Sequence, residues 1–141
     1  MQALLDAGFN VTALTRIDST SSVLPGAKVH KTDYSSSESI AEAFKGQDAV
    51  VSTIATAALA QQQAVVDAAI KAGVKRLIPS EFGVDTTRVQ GGAKKILGAK
   101  IALQGVLAKA AEENPDFSWT GLSTGMFFDW VCISSNHRDF I

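Results

Sequence analysis

Residues 74–85 read Val-Lys-Arg-Leu-Ile-Pro-Ser-Glu-Phe-Gly-Val-Asp, a pattern typical of a short buried strand that runs out into a loop. Leu77 and Ile78 supply apolar side chains, and Pro79 ends strand pairing because it has no N–H. Gly83 then leaves the backbone free to turn. In an open α/β sheet, ligands bind just beyond the carboxyl ends of such strands. This spacing is equally compatible with a ligand site and with a turn that binds nothing.

Two adjoining motifs carry a family resemblance. Residues 68–76, Ala-Ala-Ile-Lys-Ala-Gly-Val-Lys-Arg, lead into residues 79–83, Pro-Ser-Glu-Phe-Gly. Together they resemble the signature of the NmrA-like and isoflavone reductase-like family, and similar matches extend from about Leu4 to Trp130. That family belongs to the atypical short-chain dehydrogenases. The resemblance therefore implies NADP(H) bound on a Rossmann sheet.

Composition limits the class of protein. The 141 residues are 46% hydrophobic, enough for one domain with a real core, and the net charge is −1 with no basic cluster to suggest nucleic-acid binding. No apolar run approaches the roughly 20 residues of a membrane span, and no signal peptide is visible. The single cysteine, Cys132, excludes an internal disulfide and a cysteine-cluster zinc site. We expect a soluble, cytoplasmic protein without a metal site.

The apolar pattern predicts alternating helices and strands around the strand at 74–78. This alternation favours an α/β fold with a parallel sheet, and the resemblance implies a three-layer, doubly wound sheet of the Rossmann-like class. Ser35 and Glu38 have the spacing of a capping box at the start of a helix. The predicted helices are the end of one at 1–8 and others at 35–46, 59–72 and 93–113; the other strands are 10–15, 27–31, a clearly buried 49–54, and 117–122.

The glycine-rich turn that carries the pyrophosphate in a Rossmann domain has no counterpart in this sequence. We therefore expect an incomplete fold in which the first strand is missing. Because that strand is central, its absence would separate strand 10–15 from strand 49–54 and leave buried backbone groups unpaired, at about 1–3 kcal/mol each. The expected chain is marginally stable or prone to aggregate, unless the strands close up or a partner fills the gap.

The domain predicted from these matches is a truncated NAD(P)-binding, NmrA-like domain at residues 1–130. Residues 131–141 form a tail that resembles nothing in the family. Cys132 and His137 lie in this tail, and we expect neither to carry chemistry.

The predicted cofactor site lies at strand ends. Arg16 directly follows strand 10–15, where an arginine suits the 2′-phosphate of NADP, although a solvated loop arginine is the commoner reading. The resemblance favours the cofactor role. It also implies that two segments line the cofactor cleft: Thr53, Ile54 and Ala55 after one strand, and Ser80, Glu81 and Phe82 after the next.

Lys100 falls inside the apolar arc of the helix predicted at 93–113. At about 100° per residue, the arc contains Ile96, Leu97, Ile101, Leu103 and Leu107. A lysine there either reaches out to solvent or is held where a partly desolvated amine is useful. The resemblance places Lys100 on the lysine-bearing helix of isoflavone reductase-like enzymes, and implies that it is the catalytic general acid/base.

The function implied by the resemblance is NAD(P)H-dependent reduction of a small aromatic or quinone-like molecule. Met126, Phe127 and Phe128 would line its pocket or belong to the core. One alternative is a regulator that senses NADP and acts through a protein partner without turnover; the presence of Lys100 argues mildly against it. Another is an inactive truncated product, because the residues alone do not decide whether the chain is an enzyme.

Overall fold

A computed structural model describes residues 1–54 and 61–126, which form an alternating α/β chain. The element bounds are α1 Gln2–Asp6, β1 Thr12–Arg16, β2 Lys28–Thr32, α2 Ser37–Phe44, β3 Ala49–Val51, α3 Gln62–Lys71, β4 Arg76–Ile78, α4 Ala93–Glu113 and β5 Ser118–Trp119. Every predicted helix and strand is present, although most of the strands are shorter than expected.

The strands form two separate parallel sheets. One contains β1 and β2, with Thr12 opposite Lys28. The other has the order β3-β4-β5, with Leu77 between Val50 and Trp119. Because β1 pairs only with β2 and β3 only with β4 in the described ranges, the predicted separation of these two strands is confirmed.

The strand β4 is the centre of the larger sheet. Its middle residue, Leu77, is buried, and Val74 just before the strand is buried as well. The strand ends at Ile78, immediately before Pro79, as the missing proline N–H requires. The loop after β4 is therefore fixed at its start by a buried strand.

The prediction that residues 49–54 form a clearly buried strand is wrong in part. Only Ala49–Val51 is strand, and Ala49 and Val51 are exposed, Val51 by 46%. The physical reason is that, in the part of the chain that is described, β3 has a neighbouring strand on one side only, so its other edge is not covered. An apolar strand composition predicts burial only when both neighbours are present.

The core packs three helices together with β4 and the entry to β5. Its most deeply buried side chains are Ile40 of α2, Val66 of α3, Leu77 of β4 and Leu107 of α4. The apolar arc predicted for α4 is correct at Leu103 and Leu107, but wrong at Ile96, which is 77% exposed. Ile96 lies in the first turns of α4, before the helix reaches the core.

The predicted capping box at Ser35 is also wrong. The N-cap of α2 is Ser36, whose hydroxyl accepts the N–H of Ser39 at 3.2 Å. Ser35 is engaged elsewhere, since its N–H and hydroxyl both donate to the Asp33 carboxylate. This competing turn moves the helix start one residue along and holds the pKa of Asp33 below its usual range.

Some predictions fall on residues outside the described ranges. These are the placement of Ala55, Phe127 and Phe128, and the unrelated tail at 131–141. Met126 is described and is exposed. No helix within residues 1–54 and 61–126 is long and apolar enough to cross a membrane.

Candidate active site

The loop after β4, residues 79–83, is tied to two other segments and is called the Ser80 turn. The Ser80 hydroxyl donates to the main-chain oxygen of Ile54 at 2.8 Å, just beyond β3. The Ser80 N–H donates to the side-chain oxygen of Gln62, the first residue of α3, at 3.2 Å. These bonds bring together the ends of β3 and β4 and the start of α3.

Two buried polar groups near this junction have no hydrogen-bond partner among the described residues. Ser52 and Gln62 are both buried, yet the Ser52 hydroxyl and the Gln62 side-chain nitrogen have no partner among the described residues. An unsatisfied buried polar group costs about 1–3 kcal/mol. A bound water, an ion or a ligand can satisfy such groups.

The predicted cofactor residues occupy different environments. Arg16 ends β1, and its side chain is 74% exposed, with one ion pair to Asp18 at 3.3 Å. Thr53 is exposed and Ile54 is half-buried. The structure thus joins Ile54 to Ser80 directly, whereas Arg16 stands at the end of the other sheet.

Glu81 and Phe82 form the strained part of the Ser80 turn. Phe82 has a φ of 26°, in the region that favours glycine. Glu81 is only 3% exposed; one carboxylate oxygen accepts the Thr86 hydroxyl at 3.2 Å, and the other has no partner in the part of the chain described. Backbone strain of this kind is common at functional sites, because the surrounding contacts must hold it in place.

Lys100 of α4 reaches this strained turn. Its Nζ donates a hydrogen bond to the main-chain oxygen of Glu81 at 2.5 Å, and the side chain is half-buried. The Lys100 amine is thus held by a hydrogen bond, one of the two arrangements that the sequence left open, and its catalytic role stays a prediction. The Lys100 amine and the Ser80 turn therefore form one site.

Two further residues of this site were not predicted from the sequence. Gln104, one helical turn after Lys100, donates its side-chain N–H to the Thr86 hydroxyl, which in turn donates to Glu81. The signal that could have found Gln104 is its i+4 spacing from Lys100, which places both side chains on one face of α4. No local pattern marks Thr86, because its contacts depend on how the loop folds back.

An open cleft of about 310 Å³ adjoins Glu81. Its charged lining residues, Glu81 and Asp85, are both acidic. The hydroxyl of Thr87, followed by its N–H and by the Arg88 cation, holds the pKa of Asp85 below its usual range. The cleft is lined by Glu81, Asp85, Thr87, Gln104, Trp119, Gly121 and Ser123. A lining of carboxylates suits groups that donate hydrogen bonds and disfavours phosphate.

Metal ligation has no support in the described ranges. No group of three or more histidine, cysteine, aspartate or glutamate side chains within residues 1–54 and 61–126 has a geometry that could hold a metal ion.

Comparison with known proteins identifies the class to which this fold and site belong. A sequence profile of the NmrA-like family matches residues 1–132. The chain is 41% identical over 127 residues to "Oxidoreductase aprR" of Aspergillus flavus, covering 88% of this chain and 42% of that protein. It is 43% identical over 82 residues to "Isoflavone reductase homolog IRL" of Zea mays, covering 56% of this chain and 26% of that one. The chain belongs to the NmrA-like family.

Solved structures agree on the fold. The structure "AtPrR2 with NADP+ and (+)pinoresinol" superposes with a TM-score of 0.72 at 25% identity, over 86% of this chain and 44% of that one. The structure titled "Crystal Structure of Isoflavone Reductase" gives a TM-score of 0.75 at 23% identity, over 92% and 45%. The fold is therefore the predicted Rossmann-like α/β fold. The chain spans about two fifths of the length of the first curated relatives it matches.

Proposed function

We propose that this chain carries the NADP(H) site and the catalytic lysine of an oxidoreductase that reduces a small aromatic or quinone-like molecule. One observation carries the proposal: the Lys100 amine donates a hydrogen bond to the main-chain oxygen of Glu81, a residue of the Ser80 turn. The Ser80 hydroxyl of the same turn donates a hydrogen bond to the main-chain oxygen of Ile54, just beyond β3. A candidate acid/base group thus stands where α/β folds bind their ligands.

The residues present fit a dinucleotide. Arg16 is exposed at a strand end, and its one ion pair, to exposed Asp18, is a surface pair of low energy that a phosphate could displace. The Gln62 amide nitrogen beside the Ser80 turn, which has no partner within residues 1–54 and 61–126, offers a donor. Thr53, Ile54 and Ala55, with Ser80, Glu81 and Phe82, are the proposed lining of the cofactor cleft. The cofactor would supply the hydride.

Lys100 would hold or deliver the proton. Among the residues that the structure describes, its Nζ makes one hydrogen bond, to a neutral carbonyl, and its other N–H groups could meet a substrate oxygen. A positioned amine of this kind contributes about 10²–10⁴-fold to a proton-transfer step. The cofactor-binding role of Arg16 and the catalytic role of Lys100 are therefore separable by experiment.

The test is calorimetric titration of the chain with NADPH, with NADH as the comparison. We expect NADPH to bind more tightly, and Arg16→Ala to remove most of that preference because the 2′-phosphate loses its cation. The matched control is Arg88→Ala, since Arg88 is also exposed and ion-paired to a nearby aspartate, Asp85. Lys100→Ala should lower the rate of reduction by about 10²–10⁴-fold, while the chain still binds NADPH in preference to NADH.

Three results would separate the alternatives. Equal binding of NADPH and NADH, or equal losses in Arg16→Ala and Arg88→Ala, would contradict the role of Arg16. Selective NADPH binding without turnover of any aromatic or quinone substrate would favour the regulatory alternative. Folded chain that binds neither nucleotide would favour the inactive alternative.

A further inference from the structure

The helix α4 holds the segment after β4 at two points. Lys100 donates to the main-chain oxygen of Glu81, and Gln104 donates to the hydroxyl of Thr86. The two helix residues are four positions apart and so lie on one face of α4. Between the two holds, the Thr86 hydroxyl donates to the Glu81 carboxylate at 3.2 Å. The contacts form a closed ring.

A residue with a strained backbone adjoins this ring. Phe82, with its φ of 26°, directly follows the residue whose carbonyl receives the Lys100 amine. A non-glycine residue keeps such a φ only when the contacts around it hold the backbone in place. If the ring opens, we expect the Glu81 carbonyl to turn away and the Lys100 amine to lose its acceptor.

We propose that Thr86, acting through Glu81 and Gln104, is a positioning residue that sets the place of the Lys100 amine. The importance of that place rests on the proposed function of Lys100. Thr86 is buried, and its one hydroxyl both accepts from Gln104 and donates to Glu81. Serine retains both abilities, whereas valine, which has nearly the same shape, has neither.

The test measures how fast Lys100 reacts with acetic anhydride at one fixed pH, by peptide mass spectrometry on the folded chain. Lys109, exposed on the same helix, is the internal reference. We expect Thr86→Val to raise the Lys100 to Lys109 ratio about fivefold, the factor for one net hydrogen bond of about 1 kcal/mol. Thr86→Ser should restore the ratio of the parent chain.

Two further variants keep the test decisive. If Thr86→Val fails to fold, Gln104→Leu opens the ring from the helix side. We expect it to raise the Lys100 to Lys109 ratio by a similar factor. Thr87→Val is the matched control, because the Thr87 hydroxyl donates to Asp85, has no other side-chain bond within the described ranges, and lies outside the ring. Its ratio should equal that of the parent.

An unchanged ratio in either folded ring variant would overturn the proposal. So would a ratio that rises as much in Thr87→Val, or labelling that rises equally at both lysines. Labelling requires neither NADPH nor substrate, so a chain that fails to bind nucleotide still decides this question. A failure of the proposed function and a failure of the positioning role are therefore distinguishable.

Discussion

The side-chain oxygen of Gln62 accepts a hydrogen bond from the main-chain N–H of Ser80 at 3.2 Å. This bond joins the first residue of α3 to the turn after β4, across 18 positions of sequence. Gln62 is buried and Ser80 is half-buried, so the bond lies at the edge of the core.

We expect Gln62→Leu to lower the free energy of unfolding by about 0.5–1.5 kcal/mol, the net contribution of one hydrogen bond, since the Ser80 N–H loses its acceptor. The matched control is Gln63→Leu on the same helix, whose exposed side chain donates to Asp67 on the surface of that helix. Urea denaturation followed by circular dichroism measures both. Losses of equal size would contradict the joining role of Gln62.

Tyr34 provides a direct test by titration, because it is the only tyrosine in the chain. Burial raises the pKa of its phenol above the ordinary value of about 10. Its hydroxyl also donates to the main-chain oxygen of Leu14 at 3.2 Å, a bond that requires the proton. We expect the phenolate absorbance near 295 nm to appear at higher pH in the folded chain than in urea.

The same shift determines how stability depends on pH. A pKa raised on folding means that the folded state keeps the proton longer, so this stabilisation is complete below about pH 10. It is lost as the pH rises through the folded pKa. Tyr34→Phe should remove this alkaline loss, and identical titrations of folded and unfolded chain would contradict the buried position of the phenol.

Leu107 and Ile96 test where α4 meets the core. Leu107 is fully buried and Ile96 is 77% exposed, although both belong to the apolar arc predicted from the sequence. We expect Leu107→Ala to cost about 2–5 kcal/mol and Ile96→Ala less than about 0.5 kcal/mol. Chemical denaturation measures the free energy of unfolding of both variants. A large loss of stability in Ile96→Ala would mean that the start of the helix belongs to the core.

The uncovered edge of β3 leads to a prediction about association. Val51 is 46% exposed on a strand that pairs only with β4 within the described residues. A lysine on a strand edge discourages pairing with a second chain. We expect Val51→Lys to reduce concentration-dependent association, measured by light scattering.

Ile96→Lys is the control for Val51→Lys, because Ile96 is a more exposed apolar residue on a helix and has no free strand edge. A reduction of equal size in the two variants would mean that general surface charge, and not the edge of β3, governs association.

Sequence reasoning was most accurate where the deciding interaction is local. The bounds of α4 match the prediction, and β4 ends before Pro79 because proline cannot donate to the ladder. It failed at the start of α2, where Asp33 competes for Ser35 and leaves Ser36 as the cap. It also failed at β3, since the burial of a strand depends on a neighbour that its own residues do not specify.

The sequence by itself determined the α/β class, the family, and the residues chosen as candidates: Lys100 for chemistry, and Arg16 and the Ser80 turn for the cofactor. These follow from periodicity and motif, which are properties of neighbouring residues. Only the tertiary structure decided that the Lys100 amine is held by the Glu81 carbonyl, and that Thr86 and Gln104 close a ring around it. Those contacts join residues 5 to 19 positions apart, and such distances close only when the loop and the helix pack together.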